Sequence, residues 1–343
     1  MDKKKQMNFN LNNFLLAVKD ILDVRDIEQN NLSVNHSLRV AYLSLKIGEK
    51  LEKEPKEMFD LCAYSLFYHY MKEEHKQLFG FNESIDELAK ISDFTHSLDQ
   101  KFDFSKKQIQ NRRDIVEFVT KSEDSILKNI FLEMSTTEDF WLDLQNENMM
   151  MQYIYSTLYD FTQVLTFEEV LKITSLFGSI ENDIDGLLRN CDKMTQFYGF
   201  EQKDRWTFLI AASMVNFGKL SVPNEILCKK EKLIDDEYKL LQSYIYHNKN
   251  ALNSIYGFQD ITKWATRHQE RLDGSGYPSK IEAKDLSLKE RLMAVLNTYD
   301  ALTSRKVYRD ALTKEEAVEI LLLMEKDYYL DKTIIEDFTA NIL

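Results

Sequence analysis

Six histidines and a few short motifs carry most of the chemistry open to this chain of 343 residues. The densest stretch is His268–Pro278, HQERLDGSGYP, which combines an imidazole, two acids, an arginine, a tyrosine and two glycines. Upstream lie AASMVNFGKLSVPNEIL (Ala211–Leu227), with its Gly218–Lys219 pair, and YIYHNKN, which contains His247. Downstream comes VLNTYDALTSRKVYR (Val295–Arg309). Imidazoles hold transition metals, and lysine or arginine holds phosphate oxygens through charge-assisted hydrogen bonds. Arg305, Lys306 and Arg309 form a dense cationic cluster in the second half. Glu270 and Asp273 bracket the start of the loop, and Asp300 follows Asn297 by three residues on nearly one helix face. No Ser-His-Asp or Cys-His arrangement, P-loop or dinucleotide fingerprint is present.

Helices must position these groups, because 3.6-residue periodicity dominates and no alternating run is long enough to force a sheet. Leu240, Tyr244, His247 and Ala251 share a stripe, as do Ile261, Trp264, Ala265 and His268. Both histidines are therefore expected to point inward. His36 shares a face with Val40, Leu43 and Ile47 and reads as a hydrogen-bonded core histidine. His75 and His96 sit in polar surroundings and read as surface residues. Capping boxes are expected at Ser135…Glu138, Thr166…Glu169, Ser287…Glu290 and Thr313…Glu316. Breaks are expected at Phe177–Gly178–Ser179, Gly257–Phe258 and Asp273–Pro278, with Gly274 and Gly276 suited to positive φ and Pro278 fixing the exit.

Composition narrows the classes. With 44% hydrophobic residues, nine Gly and three Pro, the chain suits an all-helical protein, and its length suits two domains. A net charge of −13 argues against a nucleic-acid polymer or an anionic membrane as partner. Cys62, Cys191 and Cys228 are widely spaced and read as reduced thiols of a cytoplasmic protein. No apolar run reaches the length of a membrane span, and the N-terminal apolar run is too short for a signal peptide.

The segments Ala211–Leu227, His268–Pro278 and Val295–Arg309, in that order, resemble an HD-GYP domain, the family that hydrolyses cyclic di-GMP at a two- or three-metal site. The resemblance places the first metal ligand at Asp183, the His-Asp pair at Val215–Asn216 and the next histidine at His247. It places the adjacent histidines at His268 and Gln269, and the late aspartate at Asn297. Only His247 and His268 keep the family's side chain, and valine offers no lone pair. The neutral amides remove charge that a pocket without cations would leave uncompensated. By the same resemblance Lys219 faces a substrate phosphate, Tyr308–Arg309 belong to a basic-aromatic patch near the nucleotide, and the Gly-Tyr-Pro loop meets partners. The first half resembles a truncated second copy. His36 stands at its first ligand position, Tyr68–His69–Tyr70 falls where the His-Asp pair belongs, and SLDQKFDF (Ser97–Phe104) echoes a late helix.

The expected fold is therefore all-α, with two HD-like helical bundles in tandem, the second a degenerate HD-GYP domain. Residues 1–145 form a truncated HD-like domain, 146–173 a helical linker and 174–343 the HD-GYP-like domain. The expected function is that of a catalytically impaired relative, which binds a cyclic di-GMP-type nucleotide or a partner protein in bacterial signalling. Two alternatives stand beside it: an active cyclic di-GMP phosphodiesterase with a sparse metal site, with Lys219 as its catalytic residue, and a structural scaffold module. Binding is assigned to Lys219, Asp273, Gly274, Gly276, Tyr277, Pro278, Arg305, Tyr308 and Arg309. No metal is expected at the remnant positions Asp183, Asn216, His247, His268, Gln269 and Asn297; the active alternative calls for Fe or Mn. Expected partners are cyclic di-GMP or a related nucleotide, a signalling protein at the loop, and a second copy in a homodimer.

Overall fold

The computed structural model describes residues 6–70, 85–106, 109–158, 162–179, 183–305 and 310–342. It is all-α apart from two short strands, β1 (Gln6–Asn10) and β2 (Thr162–Thr166), which pair with each other. The chain divides into two compact units, one of residues 10–162 and one of residues 1–9 with 163–343. No described helix is long and apolar enough to cross a membrane.

In the unit 10–162, α1 (Leu11–Asn30) is followed by α2 (His36–Lys50), which is buried along most of its length. Helices α3 (Pro55–Leu66) and α4 (Ile85–Phe102) pack on α2 and on each other. A single 3-10 turn, Tyr68–Tyr70, follows α3. Then come α5 (Ile109–Thr120), α6 (Ser125–Met134), α7 (Glu138–Asp143) and α8 (Glu147–Thr157). Phe104, Phe131, Phe140 and Trp141 form an aromatic corner with centroid separations of 5.1–6.4 Å. Offset and edge-on rings of this kind add to the area they bury.

In the other unit, α9 (Phe167–Gly178) and α10 (Asp185–Phe197) flank α11 (Gln202–Ser213). The end of α11 is wholly buried from Phe208 to Ser213 and runs into a 3-10 turn at Phe217–Ser221. Helices α12 (Asn224–Leu227), α13 (Asp235–Gln242), α14 (Tyr244–Asn253) and α15 (Gln259–Thr266) lead to the glycine loop. The buried α16 (Leu288–Thr303) follows, then α17 (Lys314–Lys326) and α18 (Lys332–Ile342). The stretch 146–173 takes in α8, β2 and the first half of α9.

Three of the expected capping boxes form, at Thr166–Glu169, Ser287–Glu290 and Thr313–Glu316. The fourth does not: Ser135 ends α6, and Thr137 takes the N-cap position of α7. The hydroxyl of Ser135 instead donates to the Leu132 carbonyl, 2.9 Å away, inside the turn that closes α6.

Gly178, the last residue of α9, is glycine for a steric reason. A Cβ there would lie 1.7 Å from the Ser213 carbonyl oxygen, so α9 and α11 touch backbone to backbone. Gly178→Ala is expected to cost about 1–3 kcal/mol, the range for overpacking a tight interior. Thermal unfolding should show the loss, with the neighbouring Ser179→Ala close to wild type. Equal melting of Gly178→Ala and wild type would mean the helices do not approach this closely.

Candidate functional site

Two groups of side chains have the composition of a site, one in each unit. In the unit 10–162, α2 supplies His36, the 3-10 turn supplies His69 and α4 supplies His96. Their ligand-capable nitrogens all lie within 4.8 Å of one another. His36 and His96 are buried, while His69 is exposed. His36 Nε2 is 2.9 Å from His96 Nδ1, and the Tyr68 ring stacks on His96 at 4.1 Å.

Behind the imidazoles lies an ionic network. Asp99 Oδ2 accepts from His36 Nδ1 at 2.6 Å, and its two oxygens accept from Arg39 Nε at 2.7 Å and Nη2 at 2.9 Å. The Phe104 amide adds a fourth donor at 3.1 Å. Arg39 also donates to the Val34 carbonyl at 2.6 Å and to the Ser33 hydroxyl. Burial alone would raise the Asp99 carboxyl, yet the His36 and Arg39 contacts outweigh it and hold the group below its usual range. Asp99 is therefore ionised and keeps a proton on His36 Nδ1. His36 Nε2 then faces His96. Burial, followed by the neighbouring His36 and His69, pushes His96 down to about 4, and burial with His36 also lowers His69.

Two expectations are corrected here. His96 is 7% exposed and belongs to the core, not the surface. The expectation that the chain offers no place for a metal is overturned by three converging imidazoles. His75 lies outside the described residues.

The second group holds the remnant positions, and the residues present there do not fit a metal ion. Asp183 is exposed and accepts from the Asp185 amide at 2.8 Å at the start of α10. Val215 is buried. Asn216 Nδ2 donates to Asn297 Oδ1 at 3.3 Å, while Asn216 Oδ1 is buried without a partner. His268 is 1% exposed, with Nδ1 against the Ala265 carbonyl at 2.8 Å and Nε2 against the Tyr244 hydroxyl at 2.9 Å. Gln269 Nε2 donates to the same hydroxyl at 3.3 Å. His247 does not point inward as its stripe suggested. It is exposed, and Asn248 takes the buried position, donating to the Met214 and Val215 carbonyls at 2.9 and 3.3 Å.

The glycine loop is held from inside. Glu270, 2% exposed, accepts from the Ser279 and Ile281 amides at 2.8 and 2.9 Å. Asp273 accepts from the Ser275 amide and hydroxyl at 2.9 and 2.7 Å. Gly274 has φ +76°, whereas Gly276 is needed for closeness: a Cβ would sit 2.4 Å from the Arg271 nitrogen. Tyr277 is not a free recognition ring, because it packs on Val222, Ile226, Tyr244 and Ile245. Asp273, Ser275 and Pro278 are the exposed members.

Lys219 and Arg271 are cations on the Tyr244 side of this loop. Lys219 Nζ lies 5.4 Å from the Tyr244 ring centroid, and Arg271 is half-buried among tyrosines. Arg305 is exposed and pairs with exposed Asp310 at 3.7 Å, a contact of little energetic weight. Lys306, Tyr308 and Arg309 lie outside the described residues. Sequence reasoning missed Arg271, although it sits inside the motif, and missed the pairing of His36 with Asp99.

Burial, reinforced by Lys219 and Arg271, pushes His268 down to about 3. A depressed histidine pKa gives stability that is present above the unfolded value and lost as pH falls, because only the unfolded chain takes up the proton. Between pH 7.5 and 5.5 this group alone removes about 1.4 kcal/mol for an unfolded pKa near 6.5. Denaturant unfolding of His268→Gln should therefore show a pH dependence shallower than wild type by about that amount. Parallel curves for the two proteins would show that His268 is protonated in the fold.

The comparisons with known proteins bear on both units. The family described as HD domain matches residues 171–334. The 3'3'-cGAMP-specific phosphodiesterase 1 of Vibrio cholerae is 26% identical over 194 residues, covering 54% of this chain and 45% of that protein. A probable cyclic di-GMP phosphodiesterase of V. cholerae is 33% identical over 140 residues, covering 38% of this chain and 32% of that protein. The aligned part thus spans less than half the length of these curated relatives. A solved structure of a cyclic GMP-AMP-specific phosphodiesterase of V. cholerae matches 98% of this chain and 99% of its own. Its TM-score is 0.56 at 17% identity, a likeness of fold. Residues 171–334 are an HD domain, and the relatives similar to part of this chain are phosphodiesterases of cyclic dinucleotides.

Proposed function

We propose that this protein acts on a cyclic dinucleotide as a phosphodiesterase of the HD type. The relatives' named activities support hydrolysis more than the catalytically impaired role expected from the neutral positions 215, 216, 269 and 297. The observation that carries the ligand class is local. Lys219 Nζ lies 5.4 Å from the Tyr244 ring, whose hydroxyl meets buried His268 at 2.9 Å, and the half-buried Arg271 stands in the same motif, so two cations lie near the glycine loop. In a chain of net charge −13 that is a local exception, suited to phosphate oxygens. His36, His69 and His96 are the residues that would hold an ion. A divalent ion bound there would acidify a coordinated water. Within that unit Asp99 fixes the orientation of His36; in the other unit, taken by itself, Lys219 and Arg271 are the groups suited to holding a phosphate.

Binding without turnover is the second reading, and one observation favours it. The Asn216–Asn297 amide contact fills the family's carboxylate positions with neutral groups already bonded to each other. A partner protein at the loop would meet Asp273, Ser275 and Pro278. The free cysteines Cys62, Cys191 and Cys228 accord with a cytoplasmic setting.

The test is incubation of the full chain with 3'3'-cGAMP and with cyclic di-GMP in the presence of Mn, Fe or Zn, with chromatography of the products and calorimetry of binding. Linear dinucleotide should appear, and Lys219→Ala should lower kcat/KM by at least about tenfold, as expected for one lost charge-assisted contact. Binding of intact nucleotide with no product under any metal would sink hydrolysis and leave the second reading. Absence of both would sink the ligand class.

A further inference from the structure

We infer that His36, His69 and His96 form a mononuclear site for a late first-row divalent ion such as Zn or Co, within the unit 10–162 and independent of residues 171–334. The inference stands whether or not the protein hydrolyses a nucleotide.

Ligand chemistry comes first. Three imidazoles with no thiolate and no carboxylate among the converging atoms suit Zn, Co, Ni or Fe and disfavour Mg or Ca. Three protein ligands also leave a fourth position for water or an anion, as in catalytic rather than structural zinc sites.

The orientation of the imidazoles is the second argument. A histidine ligand is normally steered by a carboxylate on its other nitrogen. His36 has that arrangement, with Asp99 on Nδ1 at 2.6 Å and Nε2 directed into the cluster. The carboxylate is itself held by Arg39 and the Phe104 amide, so the ring cannot turn without breaking a fully buried network. A core histidine needing only satisfaction would not require a partner of its own kind on its other side. The 2.9 Å contact brings His36 Nε2 and His96 Nδ1 edge to edge; to hold an ion each would present a lone pair there, with the His96 proton carried on its Nε2.

Spacing and access complete the case. An ion 2.0–2.1 Å from each of three nitrogens in tetrahedral geometry needs them about 3.4 Å apart. The cluster spans from 2.9 Å for the buried pair to at most 4.8 Å overall. The buried pair must open by about 0.5 Å, and the larger movement falls on His69, the exposed member, in a one-turn 3-10 segment against Tyr68 and His96. The exposed side of His69 is also the route by which an ion enters.

The test uses the full chain, stripped of metal by chelator and titrated with Co, followed by visible absorption and by elemental analysis after dialysis. One equivalent per chain is expected, with the intense ligand-field bands of a four-coordinate ion. His69→Ala, a surface change that should leave the fold intact, and His96→Asn should each weaken binding at least about tenfold. The exposed control His247→Ala should bind as wild type. Asp99→Asn should weaken binding by about 10–100-fold, the effect of losing a steering carboxylate. Nitrogen-15 spectra of the histidine rings should show His36 Nε2 and His96 Nδ1 moving to metal-bound shifts on addition of Zn. Weak, non-saturating uptake with the spectrum of hydrated Co, or equal binding by wild type and His69→Ala, would overturn the site. A chain that binds one Co here and cleaves no nucleotide would refute the proposed hydrolysis while leaving the site standing.

Discussion

A carboxylate buried as fully as Asp99 must be neutralised where it sits, and the unit 10–162 is arranged around that requirement. Desolvation of a lone carboxylate costs several kcal/mol, so removing one partner of such a network is far more damaging than never having built it. Here α2 delivers both Arg39 and His36, three residues apart and hence on one helix face, while α4 delivers the acid. The charge is answered by a planar guanidinium fork and an imidazole N–H, which fixes the crossing of two helices and also the direction of the imidazole's remaining lone pair. Fold and ligand geometry thus share one cause.

The HD domain at 171–334 meets the same physical demand in the opposite way. Asn216 and Asn297, neutral amides, bond to each other, and the buried His268 has both nitrogens occupied by a carbonyl and a phenol. No charge is buried there that lacks an answer. The cations that remain, Lys219 and Arg271, stand beside an imidazole held neutral and therefore unable to repel them. A cluster of that sign attracts anions, and its pull falls as salt rises.

Much of this was legible from residue order. The helical class, three of four capping boxes, the glycine loop and the inward aspect of His36 and His268 follow from periodicity and turn chemistry. The failures have physical causes. His96 looked solvent-facing because it stands between Thr95 and Ser97, but Thr95 is fully buried, its hydroxyl meeting Ser44 at 2.8 Å across α2, while Ser65 and Ser92 pair nearby at 2.7 Å. A seam of small hydroxyls between helices reads as polar surface in a sequence. His247 failed for a different reason: the buried face of α14 is set by Tyr244, Ile245, Asn248, Ala251 and Leu252. At 100° per residue His247 lies about 100° from the centre of that face, and the stripe through Leu240 had centred it wrongly. Contacts of high sequence separation, such as His36 with Asp99, leave no periodic trace at all.

The two units therefore differ in the chemistry they offer, for reasons internal to each. Imidazoles without a carboxylate leave a bound divalent ion with its charge nearly uncancelled, the condition that most acidifies a coordinated water. Amides and buried hydroxyls cannot hold such an ion, but they add no negative charge beside the lysine and arginine nearby. Family likeness covers the second unit most closely, while the ligand-bearing imidazoles converge in the first. Similarity of sequence and capacity for metal chemistry are thus separate properties of this chain, and inferring one from the other would put the ion where valine and asparagine stand.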